Sequence, residues 1–439
     1  ESKSQPGPGS IYRPDLDTWK SVSTQEAPMS REHHTAVWTG EEMIVWGGII
    51  SFNTGGRYCQ APNTAPIARC QNKTVSANPD NTADASIDNG SSDPDGDPLT
   101  LTQSPPGPYP VGMTSVMLTV TDGRGGSSMC SATVTITAFG PPPGDPAPGG
   151  KPPDNGSVLL YNYYTSGASP SSHNTGFALT NNHKSTGVFV HLFFVDGSSC
   201  VPADTFVCLA PKQTINFLAS DLVPGETGYL WAIATDSNGV PSNHNFLSGR
   251  AEVTTATGIQ AKLDAVAIAA IAAVPATADC TFGCIATLNF DGVHYGKVPR
   301  VLELDPVYSA ADGNSTLLVV NNLSGNLYTG TPAIGALQGI LTNKDTGTPY
   351  NFTNGAANCQ FKSFLSDAFP LISPVFSAAL PSKQEGNLKL WASTNIGLSG
   401  AVLRYNPKKK GKKFNSGDNL RAVTLTTAGL VIPVFPPAC

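Results

Sequence analysis

Charge is what this sequence has least of. Charged residues fill 13% of its 439 positions, about half the share of an ordinary soluble chain, so the polar surface must come from Thr, Ser, Asn and Gly. The net charge of −6 keeps self-repulsion weak and permits association. The balance is acidic, and the one dense basic run is "KKKGKK", Lys408–Lys413, which excludes a nucleic-acid binder. Such a run reads as a solvated loop, or as a contact for an anionic polymer or partner. No apolar run reaches the ~20 residues of a membrane span. The nearest, "AKLDAVAIAAIAAV" at 261–274, carries Lys262 and Asp264 and reads as a short buried packing helix. The chain starts at Glu1 with neither Met nor a hydrophobic signal region, which fits an export signal already removed, or a fragment.

Catalytic signatures are also missing. There is no P-loop, GxGxxG or GxSxG, and no CxxCH or paired CxxC. The seven histidines do not cluster. His33 and His34 precede a strand and read as edge residues, or as metal ligands if a neighbour completed the set. His191 sits in an apolar strand and reads as a satisfied core residue. His173, His183, His244 and His294 lie in or beside loops, without carboxylates or cysteines at ligand spacing. A non-enzymatic protein is expected.

Nine cysteines are present. Spacing proposes three pairs: Cys70 with Cys130, Cys200 with Cys208, and Cys280 with Cys284. In an exported β protein disulfides are favoured over free thiols. The 70–130 bridge closes a long loop and would contribute roughly 4 kcal/mol in the chain-entropy model. Cys59, Cys359 and Cys439 remain, so at least one is unpaired or bonded between chains.

The first 58 residues contain "IYRPDLDTWKSVS" and "HTAVWTGEEMIVWGG". The double glycine Gly47–Gly48, Tyr12 and the spaced Trp19 and Trp38 resemble a kelch repeat, and "GGRY" at Gly55–Tyr58 restarts the pattern. "TGEE" is a turn signal between two strands. A kelch blade is one of several packed radially, and a lone blade cannot bury both faces. Trp38, Val45 and Trp46 are therefore expected to bury themselves against another copy, with Cys59 able to lock the contact or to pair with Cys359 or Cys439.

Residues 59–138 carry "APIARC" at Ala65–Cys70 and "YPVGMTSVMLTVTDGRGGSSMCSATVTI" at Tyr109–Ile136. Val116, Leu118 and Val120 alternate, "DGRGG" turns, and Ala132, Val134 and Ile136 resume the alternation. The segment resembles a hyalin-repeat (HYR) domain, an immunoglobulin-like β-sandwich of extracellular proteins. The resemblance implies a spacer or adhesion module, with Cys70 and Cys130 joining its first and last strands. Within it, "SSDPDGDPLT" places Asp93, Asp95 and Asp97 on a Pro/Gly turn, as in PKD-like and cadherin-like modules. These carboxylates could hold calcium, a hard cation that takes six to eight oxygens, or could cap local backbone N–H groups.

"FGPPPGDPAPGGKPPDNG", residues 139–156, is a Pro/Gly linker expected to be a semi-rigid polyproline spacer. After it, "SVLLYNYYTSG" echoes "STLLVVNNLSG", "ALTNNHKSTG" echoes "GILTNKDTG", and "LVPGETGYLWA" echoes "LPSKQEGNLKLWA", each about 160 residues apart. Two related β-sandwiches are expected, at 157–297 and 298–439, with Trp231 and Trp391 at equivalent positions. "GVFVHLFFVDG" at Gly187–Gly197 is apolar on both faces, as a strand buried between layers would be. With its "VFPP" ending, the region resembles uncharacterised exported bacterial proteins. Tyr161, Tyr163 and Tyr164 suit a binding face or a packed sheet face. Six Asn-x-Ser/Thr triplets (Asn72, Asn89, Asn155, Asn314, Asn322, Asn351) arise readily in an Asn- and Thr-rich chain.

The expected fold class is all-β: tandem immunoglobulin-like β-sandwiches, an N-terminal kelch-like strand segment and one short helix. The expected function is an extracellular, non-enzymatic structural protein that self-assembles into a fibre through its N-terminal strands. The alternatives are a surface adhesin or glycan-binding protein, or the C-terminal part of a larger exported kelch-propeller enzyme. Calcium is the one candidate cofactor. The expected partners are further copies of the chain or surface glycans.

Overall fold

In the computed structural model the described residues are 10–13, 18–21, 33–39, 42–48, 54–59, 63–142, 144–148, 153–168, 173–273, 278–279, 284–409 and 415–438. The side chains of residues 10–13, 18–21, 58 and 59 lie outside that description, as do Cys280, Cys439 and Lys410–Lys413. The architecture is all-β, and the chain divides into two compact units near residue 135.

The first unit opens with a hairpin, Ser10–Arg13 with Thr18–Ser21, and a three-stranded antiparallel sheet, Thr35–Trp38, Glu42–Trp46 and Gly55–Cys59. After it comes a four-stranded sheet in the order Lys73–Ser76, Ser127–Thr137, Gly112–Thr121, Thr100–Ser104. Its alternation buries Val116, Leu118, Val120 and Val134. Outside its strands the chain makes the isolated bridges Ile67–Ser92 and Cys70–Asp88. Cys70 and Cys130 are bonded.

The second unit holds two sandwiches. In the first, β1 (Val158–Thr165), β3 (Val188–Asp196), β4 (Pro202–Leu209), β6 (Thr227–Thr235) and β9 (Val266–Ile268) form one sheet, ordered β4-β3-β6-β1-β9. The facing sheet is β5-β2-β7-β8, made of β2 (Asn174–Asn181), β5 (Thr214–Leu218), β7 (Leu247–Thr254) and β8 (Gln260–Asp264). After β10 (Ile285–Phe290) the second sandwich repeats this arrangement. Its first sheet, β14-β13-β16-β11-β19, uses β11 (Val298–Tyr308), β13 (Gly335–Asn343), β14 (Pro349–Ala357), β16 (Glu385–Ala392) and β19 (Arg421–Thr426). The other, β15-β12-β17-β18, uses β12 (Ser315–Asn322), β15 (Gln360–Phe364), β17 (Leu398–Tyr405) and β18 (Ser416–Asn419). Every strand of the first sandwich has a counterpart ten numbers later, in the same sheet position.

The repeat reaches local detail. β1 slips register against β6 between Tyr161 and Tyr164, with Gly228 opposite Tyr164. β11 slips against β16 between Leu304 and Val307, with Gly386 opposite Val307. Both slips are β-bulges, which re-aim the side chains around them. Aligned on them, Trp231 is the counterpart of Lys389, three residues after its glycine, and Trp391 of Ile233. The expected Trp231–Trp391 equivalence is therefore displaced by two residues. The first two echoes are wrong by a whole strand, because "STLLVVNN" is β12, the counterpart of β2 and not of β1. They reflect similar strand chemistry rather than equivalent places.

A third sheet pairs β10 with β20 (Ala428–Pro433), flanked by Ala278–Asp279 and Gly325–Asn326. Leu288, Phe290, Leu430 and Ile432 cover the outer face of the β3-β6-β1 sheet at Phe193, Val195 and Trp231. β3 is buried on both faces for this reason: Leu192 and Phe194 face the sandwich interior, while Phe193 and Val195 face the third sheet.

Three expectations need correction. Of the expected helix at 261–274, the described residues 261–273 form none: Ala261 and Leu263 are buried while Lys262 and Asp264 are exposed, the period-two pattern of strand β8. Among the described residues the α-helices are instead two single turns, Ala219–Leu222 and Phe376–Ala379. The Pro/Gly segment is no free spacer, since Asp145–Pro146 pairs with β19 and Phe139 packs on Trp391 at 5.4 Å between ring centroids. Cys200 is bonded to Cys359, not Cys208. Cys200 precedes β4 and Cys208 lies near its far end, with the strand from Pro202 to Cys208 alone spanning about 20 Å at ~3.3 Å per residue, whereas a bridge needs Cα atoms within about 7 Å. Cys208 and Cys284 are each in a disulfide as well, and the expected Cys280–Cys284 pair lies outside the described residues.

Candidate functional site

The two sandwiches differ most at one edge. In the first, β9 pairs only with Val158–Leu160, so the bulged half of β1 has no strand beside it, and a gap opens towards β8 at the edge of the facing sheet. The second sandwich plugs that gap. Leu317, Val319, Ala401 and Leu403, on the outer face of β12 and β17, join the core of the first sandwich. Packing at Gly417 is tight enough that a Cβ there would lie 2.9 Å from Leu263. A buried amide chain seals the joint. Asn162, in the bulge, donates to Gly400 O at 3.1 Å and to Asn419 Oδ1 at 2.8 Å. Asn321 donates to Asn162 O, and Gln360 to Asn321 Oδ1, both at 2.8 Å.

The counterpart gap in the second sandwich is a cleft of about 360 Å³. β19 pairs with β11 only as far as Glu303, and beyond it Leu304–Tyr308 border the cleft, with Asp305 at the place Asn162 holds in the first bulge. β17 supplies Val402 and Arg404, β18 supplies Ser416, Asp418 and Asn419, and β19 supplies Arg421. Arg404 is buried and donates to Asp418 Oδ2 at 2.5 Å. Its guanidinium lies 5.7 Å from the Tyr308 ring centroid, and its Nε is enclosed without a hydrogen-bond partner. Glu303 is also buried; it accepts from Asn387 at 2.7 Å and pairs with Arg421. Burying charged groups is costly unless they are paired. One edge of the duplicated fold is apolar and plugged, while the other keeps charged and aromatic side chains around a cavity.

Sequence reading missed this cleft. The signal was present in "RVLELDPVY" and "GAVLRY", where Arg300, Glu303, Asp305 and Arg404 stand in strands rich in apolar residues, but no spacing brings those segments together.

The residues proposed from sequence are distributed elsewhere. Tyr161, Tyr163 and Tyr164 are at most 4% exposed. They belong to the core, so of the two readings open to them it is the packed sheet face that they form, not a binding face. His191 is enclosed, stacked on Phe206 at 3.9 Å, with Nε2 2.8 Å from Asp204 Oδ2. Burial holds its pKa below the ordinary histidine value, against the pull of Asp204. His294 does have a carboxylate neighbour, Asp291, at 2.8 Å.

The Asp93, Asp95 and Asp97 carboxylates lie within 4.8 Å of one another, the one group of three metal-ligating side chains among the described residues. Asp93 Oδ1 accepts from the backbone N–H of Asp95 at 2.8 Å and of Asp97 at 3.1 Å, so it caps the turn. Asp95 accepts from Thr64 N at 2.6 Å, and Asp97 from Arg124 at 2.8 Å. Asp93 Oδ2 is enclosed with no donor, and with the neighbouring Asp95 and Asp97 carboxylates it makes an oxygen set of the kind a hard cation takes.

In the N-terminal sheet, pairing puts Ala36 opposite Val45 and Trp38 opposite Met43. Trp38 and Val45 thus share one face and Trp46 takes the other. Trp38 is 57% and Trp46 56% exposed, while Val45 is half-buried.

No protein-family model matches the chain, and no curated protein matches it. The kelch and hyalin-repeat resemblances therefore rest on the quoted residues alone. Among solved structures, the chain aligns with a carbohydrate-binding module (CBM51-2, in complex with GlcNAc) and INT domains from Clostridium perfringens ZmpB, at 16% identity and a TM-score of 0.14. That match covers 42% of this chain and 46% of the other. A structure of carbohydrate-binding modules of the β-sandwich superfamily aligns at 12% identity and a TM-score of 0.13, covering 85% and 98%. Tripeptidyl peptidase 2 aligns at 10% identity and a TM-score of 0.16, covering 77% and 32%. Superpositions this loose carry no argument about function. The all-β fold stands on the strands described above.

Proposed function

We propose that this chain is an exported, non-enzymatic glycan-binding protein whose ligand site is the cleft of the second sandwich. The observation that carries the reading is the unequal pair of edges. The same gap is filled by an apolar sheet face in one sandwich, and in the other is lined by Glu303, Asp305, Tyr308, Arg404, Asp418 and Arg421 around about 360 Å³. That volume lies in the range of small-ligand sites. Carboxylate and guanidinium groups are planar and multidentate, suited to hydroxyl-rich ligands, and the tyrosine ring offers an apolar face. Disulfides suit an oxidising, extracytoplasmic setting. The test is a glycan array followed by calorimetry. Arg404→Ala is expected to lower affinity at least about tenfold, the effect of losing a hydrogen-bonded charged contact. Binding that survives this change undiminished would remove the cleft from the reading.

A second reading, assembly through the N-terminal sheet, is favoured by the exposure of Trp38 and Trp46 on opposite faces. A small sheet that is apolar on both sides is marginal alone, and its open edges template pairing with another copy. Deleting residues 1–58 should abolish any oligomer seen by sedimentation while leaving the sandwiches folded; an unchanged oligomer counts against it.

Calcium at Asp93, Asp95 and Asp97 would fix the acidic turn. Adding calcium to chelator-treated protein should raise the melting temperature, by RT ln(1 + [L]/Kd) in free energy, and Asp95→Asn should suppress the rise. Identical melting with calcium and with chelator would exclude the site.

A further inference from the structure

The same cleft carries a statement about ligand charge, which rests on the glycan-binding reading above. Each carboxylate that lines it already has a cation. Glu303 pairs with Arg421, Asp418 with Arg404, and Asp305 with Lys344. Three negative groups meet three positive ones, so no surplus charge of either sign is left to select an ion. The pairs leave further oxygen and N–H positions for hydrogen bonds, since a carboxylate has about four lone-pair sites and a guanidinium five donors. Ser416 adds a neutral hydroxyl on β18. We propose that the cleft selects a neutral oligosaccharide and discriminates against uronic-acid and amino-sugar chains. A charged ligand would have to displace a partner from an existing pair, leaving a charge uncompensated, and the pairs with a buried member (Glu303, Arg404) make that most expensive.

The chief competitor is an anionic glycan drawn by the basic run that begins at Lys408 and Lys409, just beyond β17. The experiment separates the two. Calorimetry is run on the full chain with neutral hexose oligomers, uronic-acid oligomers and amino-sugar oligomers of equal length, at low and high salt. The expected result is binding of a neutral series with affinity unchanged by salt, because no net charge is neutralised. Asp418→Asn, which leaves Arg404 unpaired, should then raise affinity for uronic-acid oligomers at least about tenfold. Salt-sensitive binding confined to uronic-acid or amino-sugar oligomers would overturn the neutral-ligand inference while leaving the glycan reading in place. A folded protein that binds none of the three series would overturn the glycan reading itself.

Discussion

Removing the bridge between the sandwiches, as Cys200→Ala with Cys359→Ala, should lower the free energy of unfolding of the second unit by about 5 kcal/mol. The bond joins residues 159 apart, and in the chain-entropy model a loop of that length sets the magnitude. The effect falls on the unfolded chain, so the native contacts around Asn162 and Val319 should persist in the variant. Denaturant unfolding under oxidising conditions measures it, with an unchanged m-value showing that the same surface is exposed. A loss below ~1 kcal/mol would mean that the bond does not form in solution.

The second large effect belongs to Gly228. It stands opposite the bulge of β1, where a Cβ would lie 1.8 Å from Val195 O and 3.0 Å from Gly197 N, both backbone atoms that cannot swing aside. Gly228→Ala should therefore cost about 3 kcal/mol or more, at the upper end of overpacking changes. Its counterpart provides the control. At Gly386 the same Cβ would lie 3.1 Å from Thr342 O, so Gly386→Ala should cost about 1 kcal/mol or less. Thermal unfolding of the two variants decides the point. Equal losses would show that the bulges do not differ as described.

How much was legible varied with how local the determining physics is. Alternation in "SVMLTVT" and "ATVTI" located the two long strands Gly112–Thr121 and Ser127–Thr137, because a half-buried strand writes its face into every second residue. "VFVHLFFV" announced a strand buried on both sides, and the third sheet supplies the layer that covers its outer face. The segment at 261–274 was misread for the converse reason. Its alanines suit a helix by propensity, but Ala261 and Leu263 alternate with Lys262 and Asp264, and tertiary packing overrode propensity. The duplication was visible only in outline. Strands built from the same apolar residues echo one another wherever they stand, so the echoes paired β1 with β12, while the bulges and their opposing glycines set the true correspondence.

By itself, then, the sequence determined the things that depend on composition and on near neighbours along the chain. These are an all-β architecture, a chain with little charge, the Cys70–Cys130 closure, and an acidic turn whose three aspartates are two residues apart. Tertiary structure decided the rest. Cys200 chose Cys359 because one extended strand carries Cys208 out of reach and the packed sandwiches bring Cys359 in. The cleft exists because β11, β17, β18 and β19, spread between residues 298 and 426, leave one gap unfilled whose twin is plugged. Pairings of that kind are energies of contact between segments distant in sequence, which no local pattern records.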